Sequence, residues 1–509
     1  MKIWHLLPFS LAMTLAAEEG LCPSPPRCCS RPAVAPCADP RLVPGSIAHH
    51  AAFAYLYGDR TEGQAVLKEL ARLLQLPVQE GSLLCLVQAS CPEIVAALSS
   101  QPLAEERLLS TSTCELIERA ASGLANRKLR GSKIKTEEEL LALDAEQVDI
   151  ARGLMIVLGE ETLSSSYEQL VDLLALQVMA RLPVQATYHD KIDAINGLLF
   201  GQLGIRFPPK MSYGRQIKRY TSPTEVLSSR RGICLGVCLL YGAIAQRIDL
   251  PFEIVTPPGH IFLACGSRNI ETTAAGAHLD ECHYRDLEER PLPKRSAKEV
   301  MGLALFNEAA DELQEGRLEQ ALFLYRKSQP YLNNEPSSCL IHGLAALAAG
   351  SEEEGVERLK LVLLQADKAT THMLIVAEDL LEKRCDPRFA LRLLCHKEEG
   401  SELLVQLKLL LEEFATQSSY RGGYPLLAQL CLQAHQRDKA FELLLRYDEL
   451  FNGDLAAELL LVQIAADRYK LATAWHHLHK SEALSLKRHQ RLLRSVQEVR
   501  LALTALSRE

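Results

Sequence analysis

Apolar residues recur at i, i+3, i+4 and i+7 through "TEGQAVLKELARLLQL", "EEELLALDAEQVDIARGLMIVLG" and "SYEQLVDLLALQVMARL", the period of a helix that buries one face. Separated by polar breaks, these stretches predict a helical N-terminal domain over residues 45–188. Within it "LANRKLRGSKIK", residues 124–135, is a basic interruption expected to be a solvated linker. The texture changes at about residue 189. A helix over Gly236–Ile248 is followed by "FEIVT", "HIFLAC" and "NIETT". These pieces are short, β-branched or aromatic, and bounded by Pro251, "PPG" and "GSRN", which is the pattern of strands joined by turns. Residues 189–295 are therefore expected to form a small α+β domain with an antiparallel sheet.

From residue 296 to 509 a repeat takes over. "FNEAADELQEGRLEQALFLYRKSQPYLNNEP" and "CLIHGLAALAAGSEEEGVERLKLVLLQAD" superpose with Gly316 over Gly350 and Ala321 over Gly355, both at an offset of 34 residues. A small residue at a turn and another where two helices cross is the demand of a tetratricopeptide-type helix pair. Three looser pairs follow, with Ala390, Ala440 and Ala472 as the expected crossing positions. The predicted architecture is thus mainly α with a small α+β domain, ending in a tetratricopeptide-like α-solenoid. Such a solenoid buries its core only by stacking, and offers a concave face to a partner protein or peptide.

Composition narrows the function classes. A net charge of −8 without a basic stripe excludes the electrostatic footprint of a nucleic-acid binder. Residues 1–17, with Lys2 and an apolar run from Ile3 to Ala17, read as an export signal too short to span a bilayer. No later run is long enough for an integral membrane segment. The leader at 18–44 crowds Cys22, Cys28, Cys29 and Cys37 among prolines, and the chain holds 15 cysteines. That usage suits an oxidising, extracytoplasmic compartment, with a cytoplasmic location as the alternative.

Candidate chemistry lies in "RRGICLGVCLLYGAIAQRIDLPFEIVTPPGHIF", residues 230–262. Cys234 follows Gly232 and belongs to the first turn of a helix, where backbone N–H groups and the helix dipole favour a thiolate. His260 opens a strand that returns towards that turn and is placed to exchange the thiol proton. Glu271, on the next strand, is the expected orienting group, with Asn269 on the same strand parity as the alternative. The competing reading is a packing cysteine, since Cys238 one turn on shows that the helix accepts buried thiols. No cofactor or metal is called for. His278, Cys282 and His283 in "AHLDECHY" lack a partner motif, no phosphate-binding glycine motif stands between a strand and a helix, and "WHHLHK", with His476, His477 and His479, is expected to be a solvated face. Arg230 and Arg231 are expected to anchor their loop.

The blocks "KIDAINGLLFGQLGIRF", "SPTEVLSSRRGIC" with its RxGxC, "LYGAIAQRIDLPFEIV", "PPGHIFL" and "NIETTAAG" together resemble the transglutaminase-like superfamily of cysteine hydrolases and acyl transferases. The likeness is to a short bacterial branch often fused to tetratricopeptide repeats. The resemblance implies a papain-like core and a Cys, His, Asp triad, carried here by Cys234, His260 and Glu271, with Glu in place of the usual Asp. It further implies acyl transfer on amide bonds of a protein or peptide substrate. A catalytically inactive scaffold that acts only through its repeats is the alternative.

Overall fold

The structure, a computed structural model, describes residues 121–507 apart from 180, 181, 184, 209–219, 286–288, 396–399 and 418. The expected export signal, the cysteine-rich leader and the first part of the helical N-terminal domain lie outside the described residues.

The chain enters through two 3-10 turns, Ala125–Lys128 and Arg130–Lys133, and helices α1 (Glu137–Ala142), α2 (Ile150–Leu158) and α3 (Glu161–Met179). The basic stretch at 124–135 is not the solvated linker its charge suggests. Leu124, Asn126, Ser132 and Ile134 are buried, Arg127 pairs with Asp172, and a Cβ on Gly131 would stand 2.5 Å from the backbone of Asp149 and Gln147. Arg127 is spent on an internal carboxylate while Lys128, Arg130, Lys133 and Lys135 stay exposed, a division that composition does not reveal.

Next come α4 (Tyr188–Asn196), which runs into a π turn at Gly197–Gln202, then α5 (Pro223–Ser229) and α6 (Cys234–Arg247). Four short strands follow: β1 (Glu253–Val255), β2 (Phe262–Cys265), β3 (Arg268–Ile270) and β4 (Lys294–Arg295). They form one antiparallel sheet in the order β3-β2-β1-β4, with Ile254 opposite Leu263 and Leu263 opposite Ile270. Alternation sorts the side chains. Ile254, Ile261, Leu263, Cys265 and Ile270 join α6 in one core, while Val255, Phe262 and Ala264 meet Tyr284 on the other face. The α6 core also takes in residues from α2 and α3, such as Leu154, Tyr167 and Val171. Packing therefore crosses the boundary expected at residues 188/189. A buried ion cluster ties these layers: Arg247 donates through Nε to Asp172 at 2.5 Å and lies 3.7 Å from Asp149.

The C-terminal part is a run of helical hairpins, α7 (Ala297–Gln314) with α8 (Leu318–Ser328), α9 (Pro336–Ala348) with α10 (Glu352–Leu364), and α11 (Thr371–Leu381) with α12 (Pro387–Leu394). A further helix, α13 (Gly400–Ala415), stands before the last two, α14 (Gly423–Gln433) with α15 (Arg437–Leu450) and α16 (Leu455–Asp467) with α17 (Leu471–His489); α18 (Arg494–Leu506) ends the array. The degenerate repeats share one local device. In each hairpin the first helix closes by a bond from the residue after the turn to a carbonyl five residues back: Arg317 to Glu312, Ser351 to Ala346, Arg384 to Asp379, Gln436 to Cys431 and Lys470 to Ala465. The residue before each donor has positive φ: Gly316, Gly350, Lys383, His435 and Tyr469. This is the Schellman ending, and only two of the five positions keep the glycine that adopts it without strain.

The crossing positions follow the same logic. Ala321, Gly355, Ala390, Ala440 and Ala474 each take the fourth position of a second helix and are buried. At Gly355 a Cβ would stand 2.6 Å from the Leu347 side chain. Ala474, not the expected Ala472, fills this role in the last hairpin; Ala472 is exposed. The wider interval between Ala390 and Ala440 accommodates α13, which interrupts the spacing.

Candidate functional site

Local sequence sets the backbone around each candidate. "PPGH" forms a tight turn in which His260 N–H donates to Pro257 O at 3.0 Å, with Gly259 at φ +69°. Proline at the second position and glycine at the third is the type II pattern. The RxGxC loop is held by a short parallel bridge between Arg206 and Arg231, and the Arg231 guanidinium donates to Phe207 O at 3.4 Å, so that arginine does anchor its loop. Gly232 allows close packing: a Cβ there would lie 2.7 Å from Val237 and 2.9 Å from Val226.

Cys234 is the first residue of α6, and its N-cap, Ile233, has no side-chain group to offer the helix N–H donors. Cys238, one turn further along α6, has its Sγ 3.6 Å from Ile261 O and 3.3 Å from Thr272 Oγ1, so this helix packs against the start of β2 and the turn that follows Glu271. Cys234 has no exposed surface. The segment from Tyr220 to Thr221 crosses the first turn of α6: Tyr220 O accepts from Ile233 N at 3.1 Å and stands 2.6 Å from the place a Cβ on Gly236 would occupy.

His260 and Glu271 meet directly, Nε2 to Oε2 at 2.6 Å. The carboxylate is buried, and its other oxygen accepts from Thr273 N at 3.0 Å and Thr273 Oγ1 at 2.6 Å. Tyr284 OH donates to Oε2, the same oxygen that faces the imidazole. Burial alone would raise the Glu271 carboxyl, but the adjacent His260 and the bonds from His260, Thr273 and Tyr284 outweigh it and hold the group at about 2. An ionised carboxylate only accepts, so Nε2 carries the proton and Nδ1 of the neutral ring is left as the acceptor. That is the tautomer a thiol base requires.

Asn269 is not in this constellation. Its side-chain amide donates to Leu279 O at 2.8 Å and its backbone N–H donates to His278 Nδ1 at 3.0 Å, so both residues tie β3 to the following loop. That loop carries Tyr284, whose ring stacks on His260 at 5.6 Å and 10° and on Phe262 at 4.6 Å. Sequence reasoning passed over Tyr284 because it looked in "AHLDECHY" for metal ligands. Cys238 is a packing thiol, as its burial pushes it far above the usual thiol range. Cys265, Cys339, Cys385 and Cys431 are likewise buried and outside any disulfide.

Among the described residues one group has the make-up of a metal centre, Asp448, Glu458 and His477. Lys480 already occupies it, with Nζ 2.5 Å from Asp448 Oδ2 and 2.7 Å from Glu458 Oε1. His477 is therefore not part of a solvated face; it is buried, with Nδ1 2.7 Å from Glu458 Oε2. Periodicity missed it because its partner is on another helix.

Residues 165–296 match the transglutaminase-like superfamily. The match begins inside α3, in keeping with the shared core, and contains Cys234, His260, Glu271 and Tyr284. No curated protein matches the chain. A solved structure, "Crystal structure of APC/C hetero-tetramer Cut9-Hcn1", aligns over 89% of this chain and 89% of its own, with 13% identity and a TM-score of 0.19, too loose a superposition to bear on function. No helix among the described residues is long and apolar enough to cross a membrane.

A cleft of about 550 Å³ separates the Thr256–Gly259 turn from the first repeats. Pro257, Gly259, Leu303, Phe306, Leu332 and Met373 are among its lining residues. The transglutaminase-like part and the solenoid thus share one concavity next to His260 in the chain.

Proposed function

We propose that this protein is a thiol-dependent acyl-transfer enzyme acting on amide bonds of a protein or peptide. Cys234 Sγ attacks the carbonyl carbon, His260 Nδ1 takes the thiol proton and returns it to the departing amine, and Glu271 holds the ring. Water or an amine then releases the acyl group, which makes the enzyme a hydrolase in one case and an acyl transferase in the other. The observation that carries this reading is the bond from His260 Nε2 to a buried, ionised Glu271, which leaves Nδ1 as the acceptor; the reading sets Cys234 Sγ opposite that nitrogen. The longer Glu in place of Asp is accommodated by the Thr273 and Tyr284 donors.

The repeats then serve to recruit substrate or a partner, and the cleft they share with Pro257 and Gly259 supports that role. Iodoacetamide at pH 6 should alkylate Cys234 faster than every other thiol of the chain, with loss of that adduct in Cys234→Ala by peptide mass mapping. Slow, uniform labelling would instead favour the inactive scaffold. Export is proposed on residues 1–17 alone; a mature chain still starting at Met1 would remove it.

A further inference from the structure

We infer that Tyr284 is a positioning residue for His260, and that it is what allows a glutamate to stand where the transglutaminase-like pattern has aspartate. The inference rests on the proposed acyl-transfer reading and adds a fourth member to its site.

A glutamate has one more rotatable bond than an aspartate, so its carboxylate must be fixed by more partners to hold an imidazole equally well. Glu271 Oε1 is held locally, by the backbone and hydroxyl of Thr273. Oε2 is the oxygen that meets His260 Nε2, and nothing in its own turn restrains it. Tyr284 supplies that restraint from a separate segment, donating its hydroxyl to Oε2. Its ring contributes a second constraint, lying 10° from parallel to the imidazole at 5.6 Å between centroids. The phenol is itself rigidly placed. Phe262 packs on its ring at 4.6 Å, Tyr284 N–H donates to Glu281 O at 2.9 Å, and Asn269 pins the preceding loop through Leu279 O. One side chain therefore sets the plane of the base and the direction of the carboxylate that orients it.

The test combines a rate with a spectroscopic signature. Tyr284→Phe keeps the ring stack and deletes only the hydroxyl, so the fold should be retained, as checked by thermal melting. Iodoacetamide alkylation of Cys234 at pH 6 should slow about three- to tenfold, the range for loss of one ordinary hydrogen bond, because the lost bond acts on the base only through Glu271. With Glu271→Asp the carboxylate is drawn back from the phenol and the imidazole alike, since both meet Oε2, so alkylation should already be slowed and adding Tyr284→Phe should cost nothing further, a non-additive cycle. Imidazole ¹⁵N spectra should show His260 protonated on Nε2 in the parent protein and a mixture of tautomers in Tyr284→Phe.

Rates within twofold of the parent, or additive losses in the double variant, would overturn the inference. If Cys234 in the parent protein does not alkylate at all, the acyl-transfer reading fails, and the ¹⁵N spectra still judge Tyr284: unchanged tautomer populations in Tyr284→Phe remove its positioning role.

Discussion

Two buried histidine–carboxylate pairs, one in the transglutaminase-like part and one in the solenoid, look alike at the bond and differ in everything around it. His260 meets Glu271 at 2.6 Å and His477 meets Glu458 at 2.7 Å. Glu271 is otherwise held by neutral donors, Thr273 and Tyr284, so among the described residues the imidazole is the only cation-forming group bonded to its carboxylate. Glu458 also meets the ammonium of Lys480, which Asp448 shares. The second carboxylate thus already has a fixed cation beside it, and its histidine is a packing element. The rings differ too: the His260 side chain keeps 15% of its surface and that of His477 only 4%. A histidine bonded to a carboxylate is therefore no signature of chemistry; the carboxylate's remaining partners and the free edge of the ring give it meaning.

The comparison breaks most sharply at the base itself. His260→Ala should slow alkylation of Cys234 at pH 6 by about a hundredfold or more, whereas His477→Ala should leave it within twofold, both followed by intact mass against time. Equal effects would erase the distinction. Stability should respond the other way round. Glu458→Ala leaves buried His477 without its partner and Lys480 with Asp448 alone, and should cost about 1–3 kcal/mol in urea unfolding with Cys234 reactivity preserved. Glu271→Gln keeps the volume and two of the donors' partners, and should cost no more than about 2 kcal/mol while slowing alkylation about tenfold.

Acid sharpens the same contrast. Glu271 is held at about 2 against an ordinary value of 4.5, so its contribution to stability is complete above the ordinary value and is lost as pH falls from there through about 2. Urea midpoints measured from pH 5 to 2.5 should therefore fall less steeply in Glu271→Gln than in the parent protein. The smallest effect belongs to the solenoid turns. Lys383→Gly and Tyr469→Gly relieve left-handed backbone at φ +55° and +54° and should each stabilise by up to about 1 kcal/mol, with no change at Cys234.

Much of this was legible beforehand, and the reasons are local. "PPGH" specifies a turn that starts a strand, RxGxC specifies a glycine-tight entry into a helix, and the offset between Gly316 and Gly350 specifies hairpins. Each is a statement about neighbours along the chain. The pattern points to Ala472 rather than Ala474 because Tyr469 stands where a glycine would mark the turn, and nothing else in the sequence shows where the turn ends. Arg127 and His477 look solvated in the sequence because their carboxylates, Asp172 and Glu458, come from other helices, whereas His476 and His479 are exposed as their spacing suggests.

What the sequence determined alone is therefore the set of elements and the candidates Cys234, His260 and Glu271, since turn chemistry and periodicity are properties of short segments. The tertiary structure decided which carboxylate oxygen faces the imidazole, that Glu271 rather than Asn269 meets that ring, that Tyr284 shares the oxygen, that the thiol is buried, and that Lys480 fills the second cluster. These depend on side chains from distant segments competing for the same lone pairs in a medium where an unpaired charge is costly, and that competition is settled only when the layers pack.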